Sequence, residues 1–385
     1  MSRAIRTLLE ARNTALQASL GQINAELKAA NIPVELEPYR RQIIAICDAF
    51  VRQCERNRND LALGRDEILE DVLSNTQQAS QGVRLVSARL VAPVLRASSA
   101  DRLSLITISW LHAKHSATAL YPAAFTDGDC GVWPFTQIPP VYVFPSAEQR
   151  GLLYQPLLFH EFGHLLYACH KAEMDDLVGE LQKQIEDSLT PNVQRNDRHA
   201  ATQASERQMI VDTWYKWTQE LFCDAVGLTI GGPAFLWAFS GYLGTMDRGD
   251  FYRPPESLRY SSHPIKWLRV KLLIERARGV GHDDAAREVE EEWSAVAMTM
   301  NVKEDYHGFY AAGFHRALVK TLDDMLTEAD PLRCTNEAAN AETFDLGRDE
   351  LPFLFNAAWN SYFRNPETYS RWESETVRML LAGRL

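Results

Sequence analysis

The stretch from Leu152 to Tyr167 constrains the fold of this chain more than any other segment. It reads LLYQPLLFHEFGHLLY and is almost wholly apolar, apart from two histidines and a glutamate. A helix that is apolar on every side belongs in a protein interior. Burying a carboxylate and two imidazoles there is costly unless something compensates, and a divalent cation does so. The stretch therefore predicts a buried helix that carries a metal site.

The spacing of the three polar residues assigns a role to each. His160 and His164 are four residues apart, so they lie on one helical face and can share a tetrahedral ion. Glu161 lies about 100° around the helix, where it can reach the open position of the metal without ligating it. The pattern predicts His160 and His164 as ligands of one zinc ion and Glu161 as the general base that activates a water. The alternative to a zinc site is that both histidines are core residues whose ring nitrogens have hydrogen-bond partners, and that the glutamate forms an ion pair.

A catalytic zinc usually has three protein ligands, so a third must come from elsewhere in the chain. His170 follows His160 at the metzincin spacing, but that chain reversal needs a glycine where Tyr167 stands. Glu220 and Asp224 are one turn apart on a predicted helix in apolar surroundings. They fit a ligand and an acceptor that orients a ligating imidazole. We therefore favour Glu220 as the third ligand, supported by Asp224, and keep His170 as the alternative.

A third element, YSSHPIKWLR, spans residues 260–269. Proline at the start of a helix fixes its N-terminus, so His263 is presented from a defined position just before that helix. Arg269 lies nearly two turns further on and points roughly the same way. Both side chains could donate to the oxyanion of a tetrahedral intermediate, and Tyr260 is a weaker candidate for that role. The alternative is a helix cap followed by a surface arginine.

The order of these three elements resembles the gluzincin metallopeptidases. It is most similar to the CAAX-processing and heat-shock zinc endopeptidases, which combine H-E-x-x-H with E-x-x-x-D and a later H-P-x-x-x-x-R. The resemblance covers roughly residues 140–275. It implies zinc bound by His160, His164 and Glu220, with Glu161 as the general base. It also implies Asp224 as the partner of a ligand histidine, His263 and Arg269 as transition-state contacts, and an edge strand that pairs with an extended substrate.

The predicted fold is α+β and predominantly helical. It has a zincin-like core with a small sheet and an edge strand, flanked by helical regions. The predicted domains are an N-terminal helical region (1–100), a catalytic domain (101–300) and a C-terminal helical region (301–385). Composition predicts strands at Leu105–Trp110 and Val141–Phe144, the latter an edge strand because prolines bracket it, with loops and a hairpin between residues 121 and 140. Periodicity predicts helices near 3–30, 36–57, 66–78, 151–171, 173–188, 205–229, 264–278, 283–299, 304–328, 347–363 and 366–382.

Bulk properties exclude several classes of function. The net charge of −11 over 385 residues argues against a nucleic-acid partner. The sequence shows no secretory signal and no window long and apolar enough to span a membrane. Its six cysteines form no C-x-x-C pair, and we expect them to be reduced thiols in a cytoplasmic protein.

The expected function is that of a zinc-dependent metallopeptidase acting on a polypeptide substrate. One alternative is a zincin-fold scaffold or regulatory protein with little activity, whose helical flanks bind a protein partner. Another is a zinc hydrolase of a non-peptide amide. The polar segment 188–205 joins the two predicted metal-bearing helices, so its ordering could gate substrate entry.

Overall fold

A computed structural model describes residues 2–134, 138–190, 200–259, 261–345 and 350–382. Helices dominate these residues, and a single small sheet of three strands accompanies them, in agreement with the predicted helix-rich α+β fold. In chain order, the helices are α1 (Ser2–Ala29), α2 (Glu37–Ala62), α3 (Leu69–Leu85), α4 (Ala92–Arg96), α5 (Arg102–Lys114), α6 (Leu157–Cys169), α7 (Lys171–Leu189), α8 (Ala200–Gly231), α9 (Pro233–Leu243), α10 (Pro255–Arg259), α11 (Lys266–Gly279), α12 (Asp283–Thr299), α13 (Ala312–Ala329), α14 (Asn336–Ala339), α15 (Leu351–Arg364) and α16 (Pro366–Ala382). The strands are β1 (Ala124–Asp127), β2 (Gly131–Trp133) and β3 (Val141–Phe144).

The first three helices pack against one another and contain a buried polar network. Asn13 Nδ2 donates to Thr76 Oγ1 at 2.9 Å, and Asn57 Nδ2 donates to Asn13 Oδ1 at 3.0 Å. One residue of this network comes from each of α1, α2 and α3. Because a buried amide without partners is costly, the network fixes how the three helices align. The helix predicted at 3–30 is confirmed. The helix predicted at 36–57 begins close to its predicted start but continues to Ala62, and the third helix begins and ends later than predicted.

The strand predicted at Leu105–Trp110 is wrong, because these residues lie inside α5. A short apolar run cannot be assigned to a strand or a buried helix by its periodicity alone. Here the turn just before this segment favours a helix over a strand. The Asp101 side chain accepts from the Ser98 backbone N–H in a capping box, which starts a helical turn just before α5.

The order of strands in the sheet is β1-β3-β2. Strand β3 pairs in parallel with β1 and antiparallel with β2, so Val141–Phe144 is the central strand and the predicted edge position is wrong. Pro140 and Pro145 stand just outside the paired residues, so neither removes a hydrogen bond from the ladder. Strand β2 is an edge of the sheet, and it contacts α6, the helix that carries the H-E-x-x-H motif.

Most of the buried hydrophobic residues form one large core that extends along the chain from Leu16 to Leu380. A small second cluster of Leu9, Leu61 and Val72 joins α1, α2 and α3. Helices α6 and α8 meet in this core, and α9 and α11 pack against α8. Helix α6 begins at Leu157 instead of near residue 151, because Pro156 occupies its N-cap position. The predicted bounds of α12 and α16 are confirmed, whereas α13 begins only at Ala312.

Among the described residues, no helix is both long enough and apolar enough to cross a lipid bilayer. All six cysteines are free thiols. The predicted domain boundaries at residues 100 and 300 stay predictions.

Candidate metal centre

Helix α6 presents its two histidines on one face. The ring centroids of His160 and His164 are 5.1 Å apart, as expected for residues separated by one helical turn. His160 is buried, whereas the His164 side chain keeps 24% of its surface exposed. The pair is therefore reachable from one side only.

Helix α8 passes unusually close to α6 at Gly163, the glycine between the two histidines. A Cβ atom added to Gly163 would lie only 2.8 Å from the Cα atom of Cys223. Any other residue would hold the two helices apart. This close approach brings Glu220 and Asp224, which lie one turn apart on α8, beside the two imidazoles.

His160, His164 and Glu220 form a compact group of potential metal ligands. One donor atom from each lies within 4.8 Å of the other two. His160 Nε2 is 3.5 Å from Glu220 Oε2, and His164 Nε2 is 3.6 Å from Glu220 Oε1. A tetrahedral zinc ion with bonds of about 2.0–2.1 Å separates its ligand atoms by about 3.4 Å. The donor set and its spacing therefore fit zinc.

Glu220 Oε2 supports this fit. The atom is buried and lies 3.2 Å from Arg269 Nη2 without completing a hydrogen bond among the described residues. A buried carboxylate oxygen that lacks such a bond is unusual and costly. A cation between Glu220 and the two histidines would give this oxygen a second partner besides the Arg269 guanidinium.

Asp224 and Arg269 orient the proposed ligands, Asp224 by its contact with His160 and Arg269 by its hydrogen bonds to Asp224. Asp224 Oδ1 lies 2.9 Å from His160 Nδ1, which directs His160 Nε2 toward Glu220. Arg269 donates to both oxygens of Asp224, from Nε at 2.8 Å and from Nη2 at 2.7 Å. The ring of Phe239 stacks on His160, and the Arg269 guanidinium lies over the same ring. Asp224 thus has the orienting position predicted for it.

Burial and the neighbouring charges shift the pKa values of the acids and imidazoles in this cluster strongly. Burial raises the pKa of Glu161 to about 7. Burial also lowers the pKa of His164 to about 4. At His160 burial acts in the same direction, but the neighbouring Asp224 and Glu220 outweigh it and raise the pKa to about 9. At Glu220 burial is outweighed by His160 and Arg269, which hold its pKa well below the usual range. A cation must therefore displace a proton from His160 to bind at neutral pH.

A cavity of about 250 Å³ opens beside the cluster. Glu161 and Glu220 reach it from one side, and Arg253, His263 and Lys266 also line it. Cys130, just before β2, lies in the same wall, and burial raises the pKa of its thiol to about 12. This thiol is therefore protonated at neutral pH.

His263 and Arg269 both reach the cavity but differ in their surroundings. His263 Nε2 is 3.4 Å from Glu220 Oε1, and 53% of its side chain is exposed. Arg269 is buried and committed to Asp224 and Glu220, so it is not the surface arginine of the alternative interpretation. Whether either side chain donates to an oxyanion stays a prediction, and Tyr260 lies outside the described residues.

His170 does not join the cluster. It stands at the C-terminal cap of α6, where its Nδ1 lies 3.2 Å from Glu328 Oε1. The geometry thus brings Glu220, and not His170, to the two histidines of α6. Half of the segment predicted to gate the site (188–205), namely residues 191–199, lies outside the described residues.

Sequence reasoning missed Cys130, Arg253 and Lys266 as parts of the cavity wall. Lys266 lies within the element at residues 260–269, but at one of its variable positions, and no motif includes Cys130 or Arg253. Only their position in the folded chain identifies them.

The chain was also compared with known proteins. No protein-family model, no curated protein and no solved structure matches it, so the resemblance to gluzincins depends on the motifs and on the site geometry alone.

Proposed function

We propose that this protein is a zinc-dependent metallopeptidase that uses His160, His164 and Glu220 to hold one zinc ion. The observation that carries the proposal is the convergence of these three donor atoms within 4.8 Å in a buried site, with Glu161 on the same helix. A purely structural site would need a fourth protein ligand instead of an open cavity. Zinc bound at this group would polarise the scissile carbonyl and acidify a water molecule.

The residues of the chain supply the remaining steps. Glu161 accepts a proton from the attacking water and passes it to the leaving nitrogen. Glu161 is buried, directly follows the proposed ligand His160 and lines the cavity, so its carboxylate lies next to the proposed zinc site. His263, half exposed at the cavity wall, is positioned to donate to the developing oxyanion. Asp224 and Arg269 keep His160 in the ligating orientation.

Zinc content and one substitution test this proposal. We expect the purified protein to bind about one zinc ion and to hydrolyse members of a peptide library, with chelator-sensitive activity. Glu161→Gln should keep the metal and lose activity by at least about a hundredfold, because it removes the proton acceptor alone. Full activity of this variant would exclude the proposed chemistry.

A pair of alanine variants tests the ligand set. Glu220→Ala should bind zinc far more weakly, whereas His170→Ala, at the end of the same motif helix, should bind it like the unmodified protein. The measurement is zinc affinity in competition with a chromogenic chelator. The opposite ranking would assign the third ligand to His170.

The size of the cavity favours a second candidate, the hydrolysis of a small non-peptide amide. A volume of about 250 Å³ lies below the roughly 300–1,000 Å³ of pockets that enclose drug-sized ligands. The same metal ligands and base would serve this reaction. Comparing turnover of small amides that contain no amino-acid residue with turnover of peptides separates the two candidates.

A further inference from the structure

Arg253 differs from the other cationic side chains in the wall of the active-site cavity. Lys266 is paired with Asp250 at 2.7 Å, and Arg269 is paired with Asp224 and Glu220. Arg253 is half-buried and forms no ion pair with any carboxylate that the structure describes. Its guanidinium is an uncompensated positive charge at the cavity.

The guanidinium of Arg253 is also held in place. Its Nη1 donates to Ser261 Oγ at 3.1 Å, and Ser261 Oγ in turn donates to the His263 carbonyl at 2.5 Å. The Ser261 carbonyl accepts from Trp217 Nε1 at 3.2 Å, which anchors this turn to α8. The turn that presents His263 thus also positions Arg253. The contact with Ser261 uses one N–H of the Arg253 guanidinium, which has further N–H groups that can bind a ligand.

A half-buried arginine of this kind suits a ligand with two acidic oxygens, and the group of that kind at the end of a peptide substrate is a carboxylate. Its planar fork binds a carboxylate through two parallel hydrogen bonds, which are stronger than bonds between neutral groups. The cavity of about 250 Å³ has room for one or two residues of a peptide next to the metal cluster. A carboxylate close to the scissile bond is the feature of a substrate that ends there.

We propose that Arg253 binds the free α-carboxylate at the end of the substrate, so that the enzyme removes C-terminal residues as a carboxypeptidase. The proposal rests on the proposed function and specifies its substrate. The reaction is hydrolysis of the last amide: the C–N bond breaks, the carbonyl carbon gains the hydroxyl of water, and the leaving nitrogen gains the proton. The products are a peptide shortened by one residue, with a new carboxylate, and a free amino acid.

A matched peptide set tests this assignment. N-acetylated pentapeptides with mixed last residues are made as free acids and as C-terminal amides, and products are read by mass spectrometry. We expect the zinc-loaded enzyme to release one residue from the acids, with kcat/KM lower by roughly 10- to 100-fold for the amides. In Arg253→Gln, kcat/KM for the free-acid peptides should fall to the value for the amides. In Arg253→Lys, the acids should regain part of their advantage over the amides. Arg259→Gln, which removes an exposed charge outside the cavity, should change neither rate.

Two results would overturn the proposal. One is equal cleavage of acids and amides by the unmodified enzyme. The other is efficient cleavage of only those amides that end in Asp or Glu, which would assign the carboxylate to a side chain.

A binding measurement separates this proposal from the proposed function. Zinc-loaded Glu161→Gln protein is titrated by calorimetry with the same acids and amides. If no peptide is ever hydrolysed but the acids bind at least about tenfold more tightly through Arg253, the peptidase proposal fails and the carboxylate site stands. Equal binding of acids and amides refutes the carboxylate site.

Discussion

Gly163 is the residue at which one added methyl group should separate the metal ligands. In Gly163→Ala the new Cβ would lie 2.8 Å from Cys223 Cα, whereas carbon atoms in contact are about 3.5–4.0 Å apart. Helices α6 and α8 must therefore move apart by about 0.7 Å or more. Because the obstacle is backbone and not a flexible side chain, the strain should reach the upper part of the roughly 1–3 kcal/mol typical of overpacking.

The free energy of unfolding should fall by about 2 kcal/mol, since alanine recovers up to about 1 kcal/mol of helix propensity. The movement also carries Glu220 away from the two histidines. Metal–ligand distances are tolerated within about 0.2 Å, so zinc affinity should drop by at least about tenfold. Thermal denaturation of the metal-free protein and zinc competition with a chelator measure the two effects.

Gly179→Ala is the matched control. Gly179 lies within α7 and has no atom within 4 Å of an added Cβ, so this substitution should stabilise the protein by about 0.5–1 kcal/mol. The reasoning fails if Gly163→Ala stabilises the protein like its control, or if it keeps full zinc affinity.

Two further substitutions probe the groups around the site. Asp224→Asn should weaken zinc binding by about 10–100-fold and lower thermal stability, because it leaves the Arg269 guanidinium buried beside a neutral amide. Unchanged affinity in chelator competition would contradict the orienting role of Asp224. Burial lowers the pKa of His112 to about 4, so the folded state holds this ring neutral while the unfolded chain takes up a proton below pH of about 6.5. The free energy of unfolding should therefore fall by up to about 3 kcal/mol between pH 6.5 and 4, and His112→Gln should lose that component. The assignment would be refuted if the free energy of unfolding changed with pH in the same way in His112→Gln and in the unmodified protein across this range.

Features that depend on local backbone geometry could be predicted from the amino-acid sequence. Two histidines four residues apart must share a helical face, and an apolar helix around them must be buried, so the shared face of His160 and His164 on α6 could be predicted from one short stretch. The bounds of α12 and α16 were predictable for a similar reason, because their amphipathic periodicity is regular along the whole helix.

Features that depend on contacts between distant segments became apparent only in the folded chain. Leu105–Trp110 has a strand-like composition but is surrounded by the core and forms a helix, because burial on most faces removes the periodicity that would distinguish the two. Likewise, flanking prolines suggested an edge position for β3, but the position of β1 and β2 on either side of it is set by the sheet as a whole.

The same division applies to the site. The sequence already favoured Glu220 over His170, but the close approach of α8 to α6 at Gly163 is what brings Glu220 beside the two histidines. The charge environment of Arg253 follows from loops that meet only in the folded chain. A motif can specify the direction of side chains on one helix, because backbone geometry fixes it. Which distant side chains complete the site depends on the packing of helices from separate parts of the chain, and no local pattern encodes that packing.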